Sequence, residues 1–222
     1  SVGCAQNGGA RLSVWAAGDM FQLTDRSRPP SPRVWDSAVL AVRLSSAANE
    51  TVSFQLVVDA PAAGAEAVAV AVGPLTARAG DRIGPECVRM FRMRPVRVER
   101  YPAWYLRLAD APAEEARLYD VLVPMDAAGR ERIDLARNER LAIWVDVHVP
   151  RSARPGDYAG PVSVSSRAGG VTATVRLKVF NVVLPDIRPV CCLGGFSHET
   201  IFRRLVRRPG GGSSSGALGL SA

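Results

Sequence analysis

Strict alternation of apolar and polar residues is the feature that most limits what this chain can fold into. Leu141, Ile143, Val145, Val147 and Val149 alternate with Ala142, Trp144, Asp146 and His148. Val171, Ala173, Val175, Leu177 and Val179 alternate with Thr172, Thr174, Arg176 and Lys178. Val52, Phe54, Leu56 and Val58 alternate with Ser53, Gln55 and Asp59. Successive side chains of a strand point to opposite faces, so this period places each apolar set on one half-buried face. Residues 39–44, 68–72, 88–93 and 162–166 read as further strands. Helical periodicity is scarce: 113–119 reads as a short helix and 198–208 as the start of another.

Turn chemistry separates these runs. Arg154-Pro155-Gly156-Asp157 offers proline and then glycine at the central positions of a type II turn. Ala168-Gly169-Gly170 reads as a hairpin turn, and Asp126-Ala127-Ala128-Gly129 ends another apolar run. Strand and turn at roughly ten-residue spacing predict an all-β, antiparallel β-sandwich, immunoglobulin-like or jelly-roll-like, with little helix. A parallel α/β fold needs crossover helices, and the sequence supplies none.

At 222 residues the chain is long enough to bury a core without disulfides or metals. No apolar run approaches the ~18 residues of a transmembrane span. The net charge is +7, but Arg203, Arg204, Arg207 and Arg208 supply four of those charges in a C-terminal stretch without acids. Lys178 is the single lysine, whereas nucleic-acid surfaces mix lysine, arginine and aromatics, so no nucleic-acid partner is expected. Cys4, Cys87, Cys191 and Cys192 form no disulfide framework. Val2-Gly3-Cys4 is similar to the end of a bacterial lipoprotein signal, with Cys4 as the lipidated residue; an ordinary thiol in an N-terminal stub is the other reading.

Most motifs of catalysis fail on context. Lys178 lies between Leu177 and Val179 in a strand, which excludes a phosphate-binding P-loop. Gly212-Ser213-Ser214-Ser215-Gly216 matches a nucleophile elbow only in letters, because an elbow needs a strand-turn-helix. His148 and His198 cannot build a three-histidine site, and the spacing of Cys191, Cys192 and His198 matches no zinc site. No metal and no cofactor are expected. Glu114-Glu115, an adjacent acidic pair, reads as a solvated helix start. The informative cluster is Tyr101-Pro102-Ala103-Trp104-Tyr105, beside Arg97 and Arg100. These rings could plug one end of the core, anchor a domain interface or stack on a sugar face. Pro102 breaks strand pairing, so Trp104 and one of Tyr101 and Tyr105 are expected partly exposed at one end or edge of the sandwich.

Four stretches in order carry a resemblance. They are Asn49-Glu50 through Phe54-Gln55; Tyr101-Pro102 running to Asp120-Val121-Leu122-Val123-Pro124; Trp144-Val145-Asp146-Val147 with the following Pro155-Gly156-Asp157-Tyr158-Ala159-Gly160; and Leu184-Pro185. Together they resemble the N-terminal β-sandwich domain of glycoside hydrolase family 123 and related bacterial proteins, over about residues 35–186. The resemblance implies a (β/α)8 barrel following the sandwich. That barrel carries an adjacent Asp-Glu pair, in which the glutamate is the general acid and the aspartate orients the substrate's N-acetyl group. No Asp-Glu dipeptide occurs in this chain, so no catalytic residue is carried over.

The expected organisation is a flexible stub at 1–12, a sandwich at 13–186, a linker and barrel start at 187–208, and a Gly/Ser-rich disordered tail at 209–222. The expected role is a non-catalytic accessory domain that docks onto the catalytic barrel of an N-acetylhexosaminidase-like parent. A free-standing carbohydrate-binding module with a glycan ligand and an extracellular protein-interaction sandwich are the alternatives. Tyr101, Trp104, Tyr105, Arg97 and Arg100 are the candidate binding or interface residues, with no catalytic residue expected here. The resemblance also implies export, to the periplasm, cell surface or medium, with a lipid anchor at Cys4 as one form of it.

Overall fold

The computed structural model describes residues 12–30, 33–98, 116–126 and 129–186. The first half of the chain contributes β1 (Ser13–Gly18), β2 (Trp35–Asp36), β3 (Ala41–Ala48), β4 (Glu50–Asp59), β5 (Ala65–Val72), β6 (Leu75–Ala77), β7 (Arg82–Ile83) and β8 (Val88–Val98). Then follow β9 (Ala116–Met125), β10 (Ile133–Leu135), β11 (Arg140–Val149), β12 (Gly156–Ser166) and β13 (Gly169–Val183). A single 3-10 turn at Pro85–Cys87 is the helical element among the described residues.

The strands form two sheets. One runs β1-β4-β11-β8-β9, all antiparallel. The other runs β10-β5-β12-β13-β3-β2, with β6 and β7 attached beside β12. The all-β sandwich expected from the alternation is therefore present, with one departure. β13 pairs β3 in parallel, with Val175 opposite Val42 and Leu177 opposite Leu44, so the second sheet is mixed. A parallel pair needs a long connection, but that connection need not be helical. Here the chain between β3 and β13 passes through most of the domain before returning.

Between the sheets, the alternating residues of β11 and β13 face inward as expected. Leu141, Ile143, Val145, Val147 and Val149 are buried, as are Ala173, Val175, Leu177 and Val179. Two expectations need correction. Residues 116–119 belong to β9 rather than to a helix, because they pair with Arg97, Val96 and Pro95 of β8. On β4, the alternation breaks down: Gln55 and Val57 are as buried as Phe54, Leu56 and Val58. The cause is a third layer, in which residues 18–27 cross the outer face of the five-stranded sheet. Gln55 Nε2 donates to the carbonyls of Gly18 (3.0 Å) and Phe21 (2.6 Å). Further along, the Tyr119 amide donates to the Leu23 carbonyl at 3.1 Å.

The turn before β12 also has a physical account. Gly156 already opens β12 at φ +153°, not the roughly +80° a type II turn needs, so the turn expected at 154–157 is a bend instead. Buried Tyr158 donates its hydroxyl to the Arg154 carbonyl at 2.9 Å and so closes the bend. At Gly160, a Cβ would lie 2.3 Å from the Pro74 carbonyl oxygen, so the close approach of that backbone requires glycine.

Candidate functional site

Arg97 lies near the end of β8, exposed and opposite Arg117 of β9. Tyr101, Trp104, Tyr105 and Arg100 belong to the 99–115 connection between these strands and lie outside the described residues, as do Cys4, Cys191 and Cys192.

The hairpin that carries this connection is itself informative. Leu56, Ile143, Arg92 and Val123 stand side by side across β4, β11, β8 and β9, on the inner face of the sheet. Leu56 and Ile143 are fully buried, Arg92 is half-buried, and Val123 is 43% exposed. One pair along, Arg94 is exposed opposite Val121, which is 48% exposed. The core therefore runs out toward β9, and the inner face of the β8–β9 hairpin is bare from the Arg92–Val123 pair to the Arg94–Val121 pair. A cavity of about 640 Å³ opens beside it, lined by Arg92, Arg94 and Arg117 together with Tyr119, Asn138 and Arg140. Sequence reasoning missed this face. Its signal was present in β8, where Arg92 and Arg94 continue the apolar period of Val88 and Met90 and mark where the core stops.

A polar clamp holds the margin of this cavity. Arg140, 9% exposed at its side chain, makes a forked ion pair with Asp59: Nε to Oδ1 at 2.6 Å and Nη2 to Oδ2 at 3.1 Å. Its Nη1 donates to the carbonyls of Thr24 (2.8 Å) and Ser27 (3.1 Å). Trp15 Nε1 donates to Asp59 Oδ2 at 3.0 Å, and the guanidinium carbon of Arg140 lies 5.4 Å from the Trp15 ring centre. Tyr119 donates its hydroxyl to Asp25 Oδ1 at 2.9 Å. Burial, then that carboxylate, push the Tyr119 phenol well above its ordinary range. These groups fasten the crossing segment to β11 and β9.

On the outer face of the same sheet, a groove of about 300 Å³ runs beside Trp144. Trp144 stands opposite Gln55 on β4 and Phe91 on β8. Its Nε1 donates to Asp146 Oδ1 at 2.6 Å, and that oxygen also accepts from Ser53 Oγ at 2.7 Å. Phe21 from the crossing segment lines the other side, its ring edge-on to Trp15 with centres 6.3 Å apart. Gln55 lies in the floor, and no donor among the described residues reaches its Oε1.

The remaining reactive groups serve the fold. His148 Nδ1 sits 3.2 Å from Thr51 Oγ1. The Cys87 thiol is pushed up, first by burial and then by Glu86, which disfavours the reactive thiolate. Among the described residues no group of histidine, cysteine and carboxylate side chains is arranged to hold a metal ion, and no helix is long and apolar enough to cross a membrane.

Two packed sheets, one of them with a partly exposed hairpin face, define an all-β sandwich. The sequence matches the family described as the glycoside hydrolase 123 N-terminal domain over residues 30–166, more than half of the chain, and the chain belongs to that family. Among solved structures it is similar to a family 123 glycoside hydrolase from Clostridium perfringens, analysed for glycolipid glycan hydrolysis. The TM-score is 0.57 at 14% identity, covering 79% of this chain and 28% of the enzyme. The chain thus spans under a third of that enzyme's length. The CooA pilin subunit of enterotoxigenic Escherichia coli aligns at a TM-score of 0.30 and 12% identity, over 66% of this chain and 91% of the pilin, and at that score the likeness has no weight. No curated protein matches the sequence.

Proposed function

We propose that this chain is a non-catalytic accessory sandwich of a glycoside hydrolase-like protein and that it docks onto the catalytic barrel of its parent polypeptide. The observation that supports this reading is the inner face of the β8–β9 hairpin. Val121 and Val123 are exposed there, on the face that carries the buried core residues of β4 and β11. Apolar side chains flanked by Arg92 and Arg94 have the make-up of an interface with an apolar centre and a polar rim. The 99–115 connection, with its aromatic cluster, starts and ends on the same hairpin. Asp59 and Asp146 are committed to the clamp and to Trp144. Export from the cytoplasm belongs to this reading, because a glycan-degrading parent meets its polymers outside the cell; recovery of the parent protein in the cytosol would overturn that part.

The test is a Val121→Glu/Val123→Glu double variant, made in the isolated chain and in the parent polypeptide. In the isolated chain these surface changes should move stability by no more than about 0.5 kcal/mol each. In the parent they should split a shared unfolding transition into two. An unsplit transition would overturn the docking surface. Turnover of aryl N-acetylgalactosaminides or N-acetylglucosaminides by the isolated chain would overturn the non-catalytic role.

A further inference from the structure

We propose that the outer-face groove beside Trp144 is a binding subsite for a neutral pyranose. It lies on the opposite face of the sheet from the bare side of the β8–β9 hairpin, so it does not rest on the docking reading, and both faces can be occupied together. Its walls are set before any ligand arrives. The Trp144 ring is held by the bond from Nε1 to Asp146, and that carboxylate is held in turn by Ser53. The Phe21 ring is braced edge-on by Trp15, and its backbone carbonyl is held by Gln55. Preformed walls reduce the ordering cost of binding.

The chemistry of the lining selects the ligand. Trp144, Phe21, Leu118 and Leu122 offer apolar surface, and Asp19 and Asp120 stand exposed in the same lining. Among the described residues, no arginine or lysine lines the groove. Beneath the floor, the unpartnered Oε1 of Gln55 adds negative potential. A ligand must therefore combine an apolar face with an edge rich in hydrogen-bond donors. A pyranose does both: its axial C–H groups stack on an indole face, and its hydroxyls donate to carboxylates. Uronic and sulfated sugars are disfavoured because they would bring negative charge against Asp19 and Asp120. The groove volume of about 300 Å³ accommodates one ring rather than a chain of several.

The experiment titrates the 222-residue chain with methyl β-galactopyranoside, methyl β-glucopyranoside and methyl β-glucuronide, following the indole N–H resonances. The Trp144 signal is identified by its loss in Trp144→Phe. At least one neutral glycoside should shift that signal at tens of millimolar, the weak range usual for a single contact site. Asp120→Ala, a change at an exposed position, should weaken binding while leaving the rest of the spectrum in place. Trp144→Ala, followed through the glycoside's own resonances because the indole signal is gone, should weaken binding about tenfold, the scale of one aromatic contact. Tetramethylammonium serves as a cationic probe. A salt-sensitive shift with that probe and none with the neutral sugars would overturn the proposal. So would stronger binding of the glucuronide, or silence of the Trp144 signal toward every probe.

Discussion

Asn49 bridges segments far apart in sequence: its Nδ2 donates to the Leu184 carbonyl at 3.0 Å, across 135 positions. The same amide donates to Asp186 Oδ1 at 2.9 Å. The residue sits in the left-handed region at φ +62°, where asparagine is one of the few side chains tolerated. Two effects can therefore be separated. Asn49→Ala should cost about 2 kcal/mol, from backbone strain of roughly 1–2 kcal/mol and a lost bond of about 1 kcal/mol. Asn49→Gly relieves the strain and should cost only about 1 kcal/mol. Urea unfolding of the two variants checks the order; equal losses would contradict it.

Arg140→Ala should be among the most damaging single changes. It leaves the partly buried Asp59 carboxylate without its cation and releases the carbonyls of Thr24 and Ser27. Breaking such a pair by removing one partner costs about 3–5 kcal/mol. Arg43→Ala, which breaks the exposed ion pair to Asp36, should cost under about 1 kcal/mol. Denaturant midpoints of the two variants measure the contrast directly.

Tyr119 makes stability depend on alkaline pH. Its folded-state pKa is raised above the ordinary value near 10, so the folded chain keeps a proton that the unfolded chain gives up. This contribution is fully present below pH about 10 and is lost as the pH rises toward the folded-state value. At pH 11 the loss should reach about 1.4 kcal/mol relative to pH 8. Tyr119→Phe should lack that loss while giving up about 1 kcal/mol at pH 8 through the missing bond to Asp25. Unfolding free energies at the two pH values would show parallel curves if the phenol had no part in it.

Gly160→Ala places a methyl group against the Pro74 carbonyl, a backbone atom that cannot swing aside. Overpacking of this kind costs about 1–3 kcal/mol. Gly80→Ala is the control for backbone strain alone, since its Cβ would meet open space at φ +91°. Thermal melts of both should show whether contact adds to strain; an undisturbed Gly160→Ala would mean that β12 and Pro74 separate easily.

Among the described residues, several of the sequence motifs that resemble the family act as structural fastenings. Asn49 ties the end of β3 to Leu184 and Asp186, and Glu50 accepts from the Ala47 amide at 2.7 Å. Gln55 holds the crossing segment, Asp146 holds Trp144, and Tyr158 closes its own bend. Strand identity was legible wherever one face met the core and the other met water, as in β11 and β13. The burial of the outer face of β4 and the strand identity of residues 116–119 were misread, for physical reasons. Gln55 and Val57 look solvent-facing until residues 18–27 fold over them, and nothing in a local period encodes that crossing. Residues 116–119 have no strong strand pattern and become a strand through pairing with β8. The groove was illegible for the same reason as β4, because one wall comes from Phe21 and the other from Trp144, distant in sequence.

The crossing segment also decides how much of the sheet's edge is open. A free edge offers its backbone to any extended chain, whether a partner's or that of another copy. On β9, Leu23 and Thr24 already occupy the side of Leu118 and Tyr119, through an isolated bridge and the amide bond to Leu23. Pro124 has no amide hydrogen to offer. Among the described residues, the window left for strand addition is Asp120 to Val123, too short to template a long ladder and guarded at its start by a charge. The exposed side chains of Val121, Leu122 and Val123 are thus kept from zipping onto a second copy by sealing the backbone beside them rather than by being polar.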